Sequence, residues 1–366
     1  MNYQHRLNNL RSKMAEHGIH ALALVPGTNM VYFTGLHFHL SERPVVAFVT
    51  ADALAFVLPH LEQSKLTERL DLNITHPFAW TDDEGYQGAF TQAIETLQLG
   101  SAVIGVDELT LRAVELLTLQ ELAPAVTIQR ASHILLGIRM IKGAEEIDRL
   151  RRAIALSESA LSQTLDEIKA GMTEQEIAER LTHYLSQNGS HGHSFQPIVL
   201  VGAKSALPHG IVGEAVLGAD DVLLIDFGGT FDGYPADITR TILYGAVAEP
   251  LQQAYQAVKA ANEAARAAAK PGIPAHEVDR AARQVIEAAG FGQYFIHRTG
   301  HGLGLDVHEE PQISAVSQRV LEAGMVFTIE PGIYLEGIGG VRIEDNMLIT
   351  ADGAESLTQF KRELFY

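Results

Sequence analysis

Apolar residues recur at helical spacing through Leu7, Leu10 and Met14, and Gly18 follows, so the first predicted element is a short amphipathic helix stopped by glycine. The pattern then changes to short, nearly continuous apolar runs bounded by turn residues. ALALVP (21–26), PVVAFVT (44–50) and ALAFVLP (53–59) read as buried strands, and SAVIGV (101–106) and AVTIQRA (125–131) as two more. Helices are predicted between them at LEQSKLTERL (61–70) and LRAVELLTLQEL (111–122). This is a mixed α/β region ending near residue 135, with no catalytic cluster in it; His37 and His39 in GLHFHLSERP read as loop histidines.

A long helical pattern opens the second part. In GAEEIDRLRRAIALSESALSQTLDEIKA (143–170), Ile147, Leu150, Ile154, Leu156, Leu161 and Leu165 hold one side and charges cover the rest. Glu145 and Glu146 suit the positive end of its dipole. An internal repeat follows: KAGMTEQEIAERL (169–181) resembles KPGIPAHEVDRAA (270–282), 101 residues later. In each, a Lys-x-Gly turn leads into an amphipathic helix, with Thr173 and Glu176, or Pro274 and Glu277, as start signals.

The repeat extends to carboxylates. VLLID is an apolar strand ending in Asp226; FGG turns the chain, and Asp237 starts a second strand, ITRTILY. FTIE likewise ends in Glu330; Pro331-Gly332 turns the chain, and Glu344 lies in a predicted strand VRIEDNMLI. Each hairpin brings two acids together, and neighbouring carboxylates repel unless a proton or a cation intervenes. Capping or turn aspartates are the plainer alternative, which Asp220 and Asp221 fit. Between the pairs, HRTGHGLGLDVHEEP carries His297, His301 and His308 among glycines that argue against a helix. His209 sits in the Pro- and Gly-flanked loop of VGAKSALPHG.

Length and charge narrow the class. The 366 residues exceed one comfortable core, so two domains are expected. The formal net charge of −18 disfavours a nucleic-acid partner. There is no cysteine, which excludes disulfides, thiolate metal sites and cysteine nucleophiles. The polar N-terminus is not a signal peptide, and no apolar run reaches the ~18–20 residues of a membrane span. The expectation is a cytoplasmic protein that does not bind a membrane. An imidazole with four carboxylates forms a hard, oxygen-rich site that disfavours thiolate-loving metals and leaves Mn2+, Co2+ and Zn2+ compatible. Four carboxylates carry charge for two divalent ions, which together can generate a bridging hydroxide and clamp a scissile carbonyl.

The order Asp226, Asp237, His301, Glu330, Glu344, with DFGG, TGHGLG, HEEP, IEPG and VRIEDN around these residues, resembles the pita-bread metallopeptidase family. That family includes Xaa-Pro dipeptidase (prolidase), aminopeptidase P and methionine aminopeptidase. The resemblance implies an α/β N-terminal domain of creatinase/prolidase type over 1–136. It also implies an α+β pita-bread catalytic domain with a two-fold pseudo-repeat over 137–366. Asp226 would chelate one metal, Asp237 and Glu344 would bridge both, and His301 and Glu330 would complete the second site, with Glu330 handling the proton of the bridging water. His209 and His308 match substrate-binding and transition-state-stabilising histidines, His297 matches a further pocket histidine, and Arg342 is placed on the same strand face as Glu344 as a substrate-side or supporting residue. The implied reaction is hydrolysis of Xaa-Pro bonds in a proline-containing di- or oligopeptide by a homodimer with two divalent ions per chain. The alternatives are aminopeptidase P action on longer peptides, or a creatinase-like amide hydrolase, which works without metal. Two positions depart from the family pattern: Lys204 stands where relatives often carry Asn, and Gln312 where some dipeptidases offer an Arg.

Overall fold

In the computed structural model, which describes residues 2–366, the chain divides into two units, Met1–Arg139 and Met140–Tyr366. The family resemblance placed the division at 136/137. The first unit begins with α1 (Tyr3–Glu16), whose buried stripe is Leu7, Leu10 and Met14. The Asn2 side chain caps it by accepting from the His5 amide, and Gly18 turns the chain out with φ +66°. The remaining elements are β1 (Ala21–Leu24), α2 (Thr28–Thr34), β2 (Val46–Thr50), β3 (Leu54–Pro59), β4 (His76–Trp80), α3 (Gln87–Thr96), β5 (Val103–Val106), α4 (Ala113–Leu122), β6 (Thr127–Arg130) and α5 (Ser132–Arg139).

They form one sheet in the order β4-β3-β2-β1-β5-β6, antiparallel at β1/β2 and β2/β3 and parallel elsewhere. Its core includes Phe48, Trp80, Phe90, Ile104 and Leu119. The segment predicted as a helix at 61–70 is a 3₁₀ helix, His60–Arg69, instead. It buries only Leu66, so no apolar stripe compensates a full α-helix there.

The second unit contains α6 (Ala144–Leu165), α7 (Glu174–Gln187), β7 (Ile198–Val201), β8 (Asp221–Phe227), β9 (Thr230–Phe231), β10 (Tyr234–Pro235), β11 (Ile238–Tyr244), α8 (Glu249–Ala268), α9 (His276–Ala288), β12 (Gly300–Gly302), β13 (Glu309–Ile313), β14 (Val326–Ile329), β15 (Gly332–Leu335), β16 (Gly339–Arg342), β17 (Asp345–Ile349) and β18 (Ala354–Ser356). β7, β8 and β11 make one antiparallel sheet; β13-β12-β14-β17-β18 make a second. A core of Tyr255, Val258, Ile286, Phe327 and Ile343 joins α8 and α9 to the second sheet. This is the pita-bread fold.

The repeat is visible bond for bond. The Gly171 amide donates to the Leu217 carbonyl and the Leu217 amide returns to Met172; Gly272, Leu321 and Ile273 do the same, every bond at 2.8 Å. Thr173 pairs with Val216 as Pro274 pairs with Val320. Both turn glycines have φ near +90° (+94° and +86°), a region other residues rarely adopt. The two helix starts differ, however. Thr173 and Glu176 form the predicted capping box of α7, whereas α9 begins at His276 with no side-chain cap, because neither Pro274 nor the N-cap Ala275 has a side-chain acceptor.

Candidate metal centre

Asp226 lies in β8 and Asp237 immediately precedes β11, so an inner hairpin of β9 and β10 folds the chain back and places both acids at one end of that sheet. Glu330 follows β14 and Glu344 precedes β17 in the equivalent places of the second sheet. The single strand predicted around Glu344 is broken there. β16 pairs with β15, β17 pairs with β14, and in the gap the Glu344 amide donates to the Thr239 carbonyl of the other half at 3.1 Å. The change of partner frees the Glu344 side chain from any sheet face.

The four acids and His301 converge. Asp226, Asp237 and Glu344 each offer an oxygen within 4.8 Å of the others, and His301, Glu330 and Glu344 form a second such set. His301 Nε2 is 3.2 Å from Glu330 Oε1 and 3.6 Å from Asp237 Oδ2. Its Nδ1 faces the Gly302 carbonyl at 3.2 Å. A carbonyl can only accept, so with a metal bound Nδ1 would keep its proton there and leave Nε2 free to ligate.

Two oxygens test whether a cation fits. Arg342 Nη2 donates to Asp226 Oδ2 at 2.6 Å, and Thr239 Oγ1 donates to Glu344 Oε2 at 2.7 Å. The other oxygens, Asp226 Oδ1 and Glu344 Oε1, are buried without a hydrogen-bond partner. Such groups cost stability unless something positive meets them. Without a cation the acids resist ionising together: burial, then the charges of Glu344, Asp226 and Glu330, push the Asp237 carboxyl well up. Burial, Glu330 and Asp226 do the same to Glu344. Burial also pulls Glu330 upward, but the hydrogen bond and charge of His301 outweigh it and hold that carboxyl at about 2. A hard oxygen-rich set with orphaned anionic oxygens fits divalent metal.

The cluster opens on a cavity of about 790 Å³, lined also by Phe195, Ile198, His209, His297, Ile296, Arg298, Val307, His308, Tyr334 and Arg342. His308 stands beside the cluster, its ring 4.1 Å from that of His301; burial, then the charges of His301 and Arg298, lower it to about 4. Beneath it, Glu309 is pinned by the buried Lys142 Nζ at 3.1 Å and by the Asp306 amide at 3.0 Å. The loop bearing His209 is clipped by Glu174, which accepts from the Val201 and Gly213 amides and pairs with Lys204 at 2.5 Å. Lys204 therefore serves a buried carboxylate rather than the cavity.

His297 and Arg342 line the cavity, but their polar atoms are engaged. Arg342 Nη1 donates to the Tyr334 hydroxyl, which donates to His297 Nε2, both at 2.9 Å; His297 Nδ1 donates to the Arg298 carbonyl at 2.7 Å. The strand-face argument set Arg342 beside Glu344; its guanidinium instead takes Asp226, with Thr239 Oγ1 at 3.1 Å. Tyr334, Thr239, Thr328 and Arg298 escaped sequence reasoning. Thr328 Oγ1 donates to Glu330 at 3.2 Å and accepts from the His301 amide at 3.1 Å. The alternation of FTIE, with Thr328 two residues before Glu330, was the one available signal for it.

The chain is similar to known proteins over nearly its whole length. Residues 148–351 match the model of metallopeptidase family M24, and residues 6–141 match the creatinase/prolidase N-terminal domain. The Xaa-Pro dipeptidase of Pyrococcus furiosus is 35% identical over 98% of this chain and 99% of its own. The crystal structure of a dipeptidase from Pyrococcus horikoshii superposes with a TM-score of 0.92 at 38% identity, covering 98% of this chain and 99% of that one. An X-Pro aminopeptidase from Thermotoga maritima superposes at 0.86 with 30% identity, covering 98% and 99%.

Proposed function

The chain belongs to metallopeptidase family M24, and on that premise we propose that it is a metal-dependent exopeptidase hydrolysing Xaa-Pro bonds, in the manner of a prolidase. The observation that carries this reading is the convergence of four carboxylates and His301 with Asp226 Oδ1 and Glu344 Oε1 buried and unpartnered. Asp226, Asp237, His301, Glu330 and Glu344 would hold two divalent ions, Mn2+ first among them. Such ions supply a Lewis acid for the scissile carbonyl and lower the pKa of a water. The creatinase-like alternative has no use for that ligand set.

The protein's own groups do the rest. Glu330, with Oε1 occupied by Thr328 and His301, takes the proton of the attacking water through Oε2 and returns it to the departing proline nitrogen. His209 and His308 face the cavity and donate to the carbonyl oxygen as it becomes anionic. Arg342, Tyr334 and His297 hold Asp226 and the cavity wall in place. Phe195, Ile198, Ile296 and Val307 exclude water and give the proline ring apolar contact.

Residues 1–136 are the proposed N-terminal domain and 137–366 the catalytic domain, in a cytoplasmic homodimer that sedimentation of the purified protein tests. Among the described residues no helix is long and apolar enough to cross a membrane. The assay that decides the function is hydrolysis of Xaa-Pro dipeptides by Mn2+-loaded protein, with metal counted by elemental analysis; absence of turnover at full occupancy rejects it. Changing His209 or His308 to Ala should preserve metal content and lower turnover about 10²–10³-fold. His308 is the sharper case, since it also forms a possible ligand set with Asp237 and His301. Metal lost in step with turnover would make it a ligand.

A further inference from the structure

A dipeptide brings its own carboxylate into a cavity walled in part by Phe195, Ile198, Ile296 and Val307, and a carboxylate taken out of water there needs a cationic or hydrogen-bonding partner of its own. The cavity is lined by two guanidinium groups, Arg298 and Arg342. Arg342 has each of its nitrogens already engaged: Nη2 donates to Asp226, Nη1 to Tyr334 and the Pro208 carbonyl, and Nε to Thr239. His297 has both ring nitrogens occupied and is driven toward its neutral form by burial. Gln312, the position where an arginine was sought, donates its side-chain amide to the Glu309 carbonyl at 3.0 Å and carries no charge.

Arg298 is different. Its backbone is rigidly placed: its carbonyl accepts from His297 Nδ1, and the next residue, Thr299, is tied to Asp279 through its amide and hydroxyl at 3.2 and 2.8 Å. Arg283 fixes the same segment from behind by donating to the His297 carbonyl at 3.0 Å. Yet among the described residues the half-buried Arg298 guanidinium makes no hydrogen bond or ion pair. It lines the same cavity as His308, which stands against His301 of the cluster. A fixed backbone, an uncommitted planar fork of donors and a place in that lining suit bidentate capture of a carboxylate.

We propose that Arg298 receives the free carboxylate of the substrate's C-terminal residue and so gives the site its preference for dipeptides over longer chains. This rests on the exopeptidase reading above. A longer peptide presents a neutral amide at that point, which leaves the guanidinium unpaired.

Alanyl-proline and alanyl-prolinamide, compared on the Mn2+-loaded wild type and on Arg298→Ala and Arg298→Lys, test it. The wild type should prefer the acid. In Arg298→Ala the acid-over-amide ratio of kcat/KM should fall roughly 10–100-fold, the value of a charge-assisted pair, chiefly through KM for the acid. Arg298→Lys should restore part of the ratio, and metal content should match the wild type. Equal losses on both substrates, or no loss of preference, overturn the proposal while leaving the exopeptidase reading intact. A wild type that cleaves the amide as well as the acid does the same. A wild type that cleaves neither overturns that reading and this inference with it.

Discussion

Glu330→Gln is expected to lower turnover by roughly 10²–10⁴ while keeping part of the metal, whereas Glu344→Gln should lose metal first. The two acids differ in what surrounds them. Glu330 sits at the cavity with Oε1 taken by Thr328 and His301, so its other oxygen is available for proton transfer. An amide there keeps one oxygen ligand and cannot accept the proton. Glu344 is almost wholly buried, with Oε2 fixed by Thr239 and Oε1 unpartnered, and belongs to both sets of converging oxygens. Removing its charge weakens both sets at once. The measurement is metal content and turnover of each variant at matched Mn2+. Near-normal turnover of Glu330→Gln at full occupancy would pass the proton role to His308.

Arg240→Met should cost about 3–5 kcal/mol of stability, although Arg240 does not line the cavity. Arg240 is fully buried and donates to the carbonyls of Thr239, Glu344, Phe360 and Lys361 and to Asp345 Oδ1 at 2.8 Å. Methionine fills similar space but strands those acceptors and leaves Asp345 to Arg362. Burial pulls the Asp345 carboxyl upward; the charges of Arg240 and Arg362 outweigh it, so its folded pKa is depressed. A depressed carboxylate stabilises the fold above its unfolded pKa of about 3.9, and that contribution is lost as pH falls through the folded value. With Arg240 gone the depression shrinks, so the acid-unfolding midpoint should move to higher pH. Denaturant melts at pH 7 and acid titration by circular dichroism check both. A melt equal to wild type would show that water satisfies those carbonyls.

The features legible in the sequence were those written in local pattern. An apolar run ending in a carboxylate before glycine or Pro-Gly marks Asp226 and Glu330, and the 101-residue repeat links the halves before any contact is seen. Five of the six strands of the first unit were equally plain as short apolar runs; β4 (His76–Trp80) was missed, because HPFAW opens on a histidine and a proline and buries only Phe78 and Trp80. What stayed hidden depends on pairing between distant segments. Arg342 meets Asp226 because β16 leaves β15 just before the chain rejoins β14, a change of partner with no local signature. Tyr334 and Arg298 gain meaning only from what Arg342 and His297 have already used. The 3₁₀ helix at His60–Arg69 had helical letters but no apolar stripe.

The two hairpins that carry the carboxylate pairs are unequal: 11 residues separate Asp226 from Asp237, and 14 separate Glu330 from Glu344. The first tip closes over two paired positions and the second over four. Both deliver their acids to the same place, so hairpin length is free as long as the base is kept. At the longer tip, Glu336, Gly337 and Ile338 are exposed, and a side chain at Gly337 would meet nothing within 4 Å, although its φ of +75° favours glycine. That tip is therefore a grafting point. A reporter epitope or affinity peptide inserted between Glu336 and Ile338 would ride on the molecule as cargo, spliced into a stalk whose variable length the fold already tolerates.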